Sequence, residues 1–232
     1  MCRPIVITDR GDTYGIALNM YYNAAGQIQS IIAGEDMRNF SYTGATIIAA
    51  RRMQGMNVKE IYEMNNSGLP VSLRKEYNAS GSNWINYQFA YNGTEITEIS
   101  ITIYSEPARD LKYIYSWENG NLYSLTDRRD TLYFEYDTDK AFQPGDAVYN
   151  AMIRGTREST YIDQMLEMGM PYIRNKNMVR KMTGVYRLLD DNYHTAVTEY
   201  EYLFDDKGKV VTVTAQRDND PAQTTTLQYE CN

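Results

Sequence analysis

Apolar and polar residues alternate along most of this chain, most clearly in its middle. Between residues 83 and 91, Ile85, Tyr87, Phe89 and Tyr91 fall on one face and Asn86, Gln88 and Ala90 on the other, the period of two expected of a strand with one side in water. Ile99, Ile101 and Ile103 repeat the pattern against Ser100 and Thr102. Leu111, Tyr113, Tyr115 and Trp117 follow, then Leu122 and Leu125, then Leu132, Phe134 and Tyr136. Earlier runs at 14–23, 27–33, 37–42, 46–54, 57–64 and 69–77 carry the same signature, and later ones run from Val179 to Leu188, Thr195 to Phe204, Val210 to Gln216 and Thr224 to Glu230. A recurring motif of tyrosine followed by a tight glycine turn punctuates them: Tyr22-Asn-Ala-Ala-Gly26, Tyr42-Thr-Gly44, Tyr77-Asn-Ala-Ser-Gly81, Tyr91-Asn-Gly93, Tyr115-Ser-Trp-Glu-Asn-Gly120 and Tyr202-Leu-Phe-Asp-Asp-Lys-Gly208. Asn, Asp and Gly accept the left-handed backbone that hairpin turns require, and aromatics suit a half-buried pleated surface. The pattern predicts one β-hairpin written repeatedly.

Between Asp137 and Val179 the alternation breaks. Asp146 can cap a short helix from Ala147 to Arg154 that closes at Gly155, and Ser159 can start a second through Met168, ended by Gly169 and Pro171. The predicted fold is therefore all-β, a curved antiparallel meander of many hairpins with a short helical insertion near 146–168. No Pro-rich, Ser-rich or charged linker divides the chain, so residues 1–232 read as a single domain. So many consecutive strands cannot lie flat, and the expected solution is an open or closed barrel. A membrane-spanning barrel needs an apolar outward face, and a mean hydropathy of −0.56 with Glu, Asn, Gln and Thr at outward positions points to a water-soluble one.

Composition narrows the partners. A formal net charge of −7 argues against a protein that tracks phosphates. The pairs Arg51-Arg52 and Arg128-Arg129 and the basic stretch 174–181 read as solvated strand faces. No nucleic-acid partner is expected. The two cysteines, Cys2 and Cys231, stand at opposite ends and fit either a bridge around nearly the whole chain or two reduced thiols. No apolar run reaches the length of a membrane helix and the first twenty residues lack the features of a signal peptide. The expectation is a cell-envelope protein whose leader is absent from this sequence, attached to a membrane only through a lipid anchor.

Candidate chemistry is sparse. His194 is the only histidine, it reads as lying in a polar turn, Asp191-Asn192-Tyr193-His194-Thr195, and no G-x-S-x-G elbow accompanies it. Glycoside cleavage needs two carboxylates across a cleft, for which Glu95, Glu98, Glu135, Glu199 and Glu201 are strand-borne candidates. Alternation places Glu199 and Glu201 together, opposite Tyr200 and Tyr202, as on a solvent face. Asp137-Thr-Asp139, Asp190-Asp191-Asn192 and Asp218-Asn-Asp220 are oxygen-rich turns without calcium-loop spacing, and the Asn-X-Ser/Thr triplets at Asn65, Asn78 and Asn92 sit where turn chemistry already explains them. No catalytic, cofactor-binding or metal-binding residue is assigned. The abundant resource is 22 tyrosines, which can stack on sugars, pack against a protein, or pair across strands.

The Tyr22–Ile31 hairpin and its successors resemble the YD-type repeats of bacterial surface proteins. The segments Asn175-Lys-Asn-Met-Val-Arg-Lys-Met-Thr183, Thr198-Glu-Tyr-Glu-Tyr202 and Phe204-Asp-Asp-Lys-Gly208-Lys-Val-Val-Thr-Val213 are similar to the end of a domain-of-unknown-function family of envelope lipoproteins of Gram-negative gut bacteria. That resemblance implies a porin-like, soluble, barrel-like domain outside the cytoplasm, lipid-anchored, with no catalytic residues to carry over. The 143–172 interruption departs from the family's usual connector, and Cys2 lacks the lipidation context of an anchor. The expected function is non-enzymatic binding of a glycan, peptide or protein partner by an aromatic-lined concave sheet. A purely structural module, with an interior filled by side chains, is the first alternative. A carbohydrate-active hydrolase using paired carboxylates is the second.

Overall fold

A computed structural model describes residues 2–9, 16–53, 56–127, 129–142, 175–188 and 192–231. The first eight strands are β1 (Cys2–Asp9), β2 (Ile16–Tyr22), β3 (Ile28–Ala33), β4 (Asp36–Thr43), β5 (Thr46–Met53), β6 (Met56–Met64), β7 (Pro70–Glu76) and β8 (Trp84–Asn92). They are followed by β9 (Glu95–Ile103), β10 (Glu106–Glu118), β11 (Asn121–Thr126), β12 (Thr131–Ala141), β13 (Asn177–Arg187), β14 (Tyr193–Phe204), β15 (Val210–Arg217) and β16 (Gln223–Cys231). Each strand neighbours the next in sequence, and β16 returns to β1, so the sheet is a closed sixteen-strand barrel. The expected helical insertion near 146–168 lies outside the described residues.

Closure is covalent as well as hydrogen-bonded. Cys231 is disulfide-bonded, and the only other cysteine of the chain, Cys2, is its cross-strand partner where β1 meets β16. Of the two states the sequence left open, the bridged one is found.

The strands fall into two compact units, Met1–Leu18 with Tyr115–Asn232, and Asn19–Ile114. In the second, the register aligns Ile47, Tyr62, Leu73, Tyr87 and Ile101 in one row across five strands, all buried. The next row contains Ala49, Glu60, Lys75 and Ile85, so two ionisable groups share the apolar face. Polar residues such as Lys59, Glu63 and Gln88 occupy exposed alternate positions, the expected result of period-two patterning. In the first unit, Leu132, Phe134, Met182, Ala196, Tyr200 and Val213 are buried. Gly184 is required there, because the Tyr186 ring folds over it where a Cβ would stand.

Five tyrosines, three of them from the Tyr-turn-Gly motif (Tyr42, Tyr91 and Tyr202), share a role that alternation alone does not supply. Tyr42 donates its hydroxyl to the Ile28 carbonyl at 2.7 Å, Tyr91 to Pro70 at 2.8 Å and Tyr136 to Leu122 at 2.6 Å. Tyr202 does the same to Val179 at 2.5 Å and Tyr229 to Val210 at 2.9 Å. In all five hairpins the acceptor lies one residue C-terminal to the position that the register, counted on, sets opposite the tyrosine. The ring thus reaches diagonally to the neighbouring strand and ties the open end of the hairpin. Burial holds the Tyr42 and Tyr202 phenols above their ordinary pKa, keeping them neutral donors. A carbonyl that loses such a donor in a partly buried site costs about 1–2 kcal/mol. Tyr202→Phe is therefore expected to lower stability by that amount in urea unfolding, while Tyr133→Phe, whose ring is exposed, changes it by less than about 0.5 kcal/mol. Equal effects of the two substitutions would show that the hydrogen bond contributes nothing.

Candidate functional site

The β10–β11 turn consists of Asn119 and Gly120, both with left-handed backbone at φ 54 and 79. Consecutive left-handed residues make the tight turn that suits twisted strands, and Asn-Gly is the pair that adopts it at least cost. The turn anchors a distant segment: Lys176 donates its backbone N–H to the Gly120 carbonyl at 2.9 Å, and Phe142 donates to Lys176 at 3.0 Å. The end of β12 and the start of β13 are thereby pinned beside the turn.

Three buried asparagines weld this junction. Asn121 Nδ2 donates to Asn177 Oδ1 at 3.0 Å, and the Asn177 backbone N–H donates back to Asn121 Oδ1 at 2.9 Å. Asn177 Nδ2 donates to the Thr138 carbonyl at 3.0 Å. Asn175 Oδ1 accepts from the Leu122 N–H at 2.8 Å and from the Tyr136 hydroxyl at 3.2 Å. Side-chain amides here take the place of ladder bonds where regular pairing stops, which explains polar burial at this point of an apolar sheet.

Beside the junction opens a cleft of about 330 Å³. Phe134, Tyr136 and the asparagine pair line it together with Glu118, Asn119, Tyr123 and Lys176. The Tyr123 ring is exposed and meets Tyr133 edge-on, with centroids 5.8 Å apart. Glu135 also lines the cleft and is held by Lys181 at 3.0 Å and Arg180 at 2.8 Å. Hydrogen bonds from Lys181 and then Arg180 keep its carboxyl below the usual range. Asp137 is likewise lowered, by Lys140 at 2.8 Å. Glu118 and Lys176, in contrast, have no ion-pair partner among the described residues.

Solved structures with the same architecture can now be set beside this one. No family model and no curated relative matches the sequence. A porin-like protein from Bacteroides vulgatus ATCC 8482 superposes with a TM-score of 0.73 over 99% of this chain and 99% of its own, at 14% identity. One from Bacteroides uniformis ATCC 8492 superposes with a TM-score of 0.71 over 97% and 96%, at 12% identity. The chain has a porin-like fold. The exposed strand positions of this chain include Lys59, Glu63, Glu199 and Glu201. No helix among the described residues is long and apolar enough to cross a membrane.

Of the carboxylates singled out from sequence, only Glu135 reaches the cleft. Glu199 and Glu201 are exposed on the solvent face opposite Tyr200, as alternation indicated. Glu98 accepts from Ser100 at 2.6 Å and pairs with Lys112 at 3.0 Å, and Glu95 stands opposite Asn92 at a hairpin end. A general acid for glycoside cleavage needs a raised pKa. Among the described residues, the carboxyls whose pKa is displaced, Glu98, Glu135 and Asp137, are all lowered, with hydrogen bonding as the leading cause in each. His194 lies on β14, opposite Tyr186, and not in the turn that the sequence suggested; it is exposed, with its ring stacked near Tyr186 at 6.4 Å. Among the described residues no three His, Cys, Asp or Glu side chains converge to hold a metal. Asn65 accepts the N–H groups of Ser67 and Leu69 and so acts as a turn former, whereas Asp218 accepts the Val197 N–H at 2.9 Å and extends the pairing with β14. Asp190 and Asp191 lie outside the described residues. Glu118, Tyr123 and Lys176 were not among the candidates, because only the 56-residue span from Asn121 to Asn177, closed by folding, brings them together.

Proposed function

We propose that this chain is a non-enzymatic binding domain of the bacterial cell envelope, and that the cleft beside β11 and β13 takes a small glycan or peptide fragment. The observation that carries this reading is the cleft itself, where an exposed aromatic pair adjoins open charged and amide groups over a rigid, hydrogen-bonded floor. Its volume falls at the lower end of the roughly 300–1,000 Å³ common for small-ligand sites. Two further points support an envelope setting: the disulfide at the seam suits an oxidising compartment, and the structural neighbours come from Bacteroides. Lipid anchoring follows from the lipoprotein resemblance. A structural module is the alternative, favoured by the packed rows of Tyr62, Leu73 and Tyr87.

The test is a panel of di- and trisaccharides and of short peptides, measured by calorimetry against the whole chain and against Tyr123→Ala. Loss of the ring removes stacking worth about 1–1.5 kcal/mol, or roughly tenfold in affinity. Binding that ignores Tyr123→Ala would move the site elsewhere, and a panel without any binder would favour the structural module.

A further inference from the structure

Resting on the reading of this cleft as a ligand site, we infer that its ligand is a zwitterion, a short peptide with free amino and carboxyl ends, rather than a neutral saccharide. Four observations converge on that class.

The first concerns charge. Glu118 and Lys176 line the same cleft, yet neither has an ion-pair partner among the described residues. Their charged neighbours are already matched: Glu135 with Arg180 and Lys181, Asp137 with Lys140. One carboxylate and one ammonium are therefore left open on a surface where the other charges are paired.

The second concerns placement. Glu118 closes β10 immediately before the Asn119–Gly120 turn, and Lys176 is bonded to that turn through its backbone. The Lys176 stem also packs on Gly120, where a built Cβ would sit 3.6 Å from Lys176 Cβ. Both charged groups thus spring from one small fixed element, without joining each other in an ion pair.

The third concerns what the floor has left to offer. Neutral sugars are recognised through many hydrogen bonds to hydroxyl groups, which calls for several open amides and carboxylates. Here Asn121 and Asn177 bond each other, Asn177 also bonds the Thr138 carbonyl, and Tyr136 bonds Leu122. These amides and the Tyr136 hydroxyl are thereby withdrawn from the hydroxyl groups of a saccharide. The open side-chain groups that remain are the two opposite charges, the Asn119 amide and the hydroxyls of Tyr123 and Thr138.

The fourth is the aromatic surface. Tyr123 supplies an exposed ring beside Phe134, suited to a side chain lying between the two charged ends. In this arrangement Glu118 receives the ligand's ammonium and Lys176 its carboxylate, each through charge-assisted hydrogen bonds.

The experiment uses the full chain, calorimetry, and three free dipeptides that differ in side chain: glycyltyrosine, alanylleucine and glycylaspartate. Each is compared with its N-acetyl and C-amide derivatives and with maltose. At least one free dipeptide is expected to bind, with each block weakening it about tenfold. Glu118→Gln is expected to erase the preference for the free amine while keeping that for the free carboxylate, and Lys176→Met the reverse. Retention of the second preference in each variant shows that the fold is intact. Equal binding of blocked and free peptides, or tighter binding of maltose, overturns the zwitterion inference. If such binding still depends on Tyr123, the cleft as a ligand site stands. No binding by any probe, free or blocked, overturns both.

Discussion

Glu60→Gln is expected to destabilise the protein by about 3–5 kcal/mol, the range found when one partner of a buried charge cluster is removed. The Glu60 side chain is 0% exposed, with Arg38 Nε at 3.8 Å and Lys75 Nζ at 3.9 Å. Lys75 faces it directly across β7, whereas Arg38 reaches from β4, two strands away, over the small side chain of Ala49. Tyr62 donates its hydroxyl to the same carboxylate at 3.0 Å. Burial, and then the charge of Glu60, push the Tyr62 phenol well above its ordinary pKa, so it remains a neutral donor. Glutamine keeps the shape and can still accept that hydrogen bond, which isolates the charge as the quantity removed. Arg38 and Lys75 then lose the carboxylate they share, while Lys75 keeps its place over the Tyr87 ring at 5.5 Å. Lys75→Met keeps the Arg38–Glu60 contact and the length of the buried stem, and is expected to cost less than about 1.5 kcal/mol. Urea unfolding at unchanged slope measures both. A midpoint for Glu60→Gln within 1 kcal/mol of the parent would mean that the cluster is not electrostatically coupled.

Cys231→Ser is expected to cost a comparable amount, at most about 5–5.5 kcal/mol on the loop-entropy account, because the bridge closes a loop around nearly the whole chain. Cys2 and Cys231 are already register partners in the β1–β16 ladder, so the covalent link adds to a contact that the sheet makes anyway. Its main action is on the unfolded chain, whose ends it keeps together. The parent protein under reducing conditions should match the serine variant in unfolding midpoint, and neither should differ from the parent in strand content before unfolding. A shift below about 1 kcal/mol would mean that the hydrogen-bonded seam holds without the bridge.

The strands were legible because period two is a local property. Ile85, Tyr87 and Phe89 announce a half-buried strand without knowledge of any neighbour, and they are buried as a set. The tyrosines illustrate the limit. The positions of Tyr42 and Tyr202 before glycine turns are visible in the chain, but the diagonal bonds from Tyr42 to Ile28 and from Tyr202 to Val179 depend on register. Buried charge is harder still, since Glu60 and Lys75 on paper look like ordinary residues of strand faces. Their burial follows from parity with Tyr62 and Leu73, which alternation could have shown had polar residues been counted along with apolar ones. The cleft was out of reach for a different reason: its parts come from strands separated by the 143–174 segment, and only Glu135 had chemistry that drew notice.

The order of strands also bears on how the barrel forms. Every pairing joins neighbours along the chain except the one between β16 and β1. Apart from β12 and β13, which residues 142–176 separate, pairings between sequence neighbours close short loops at small entropic cost and form quickly, whereas joining the two ends of a long chain is slow. Folding of this barrel therefore resembles a zipper that can start at any hairpin and run both ways, with one late clasp. The kinetic barrier that remains belongs to that clasp, and the oxidised chain, whose ends never separate, crosses it faster than the reduced one.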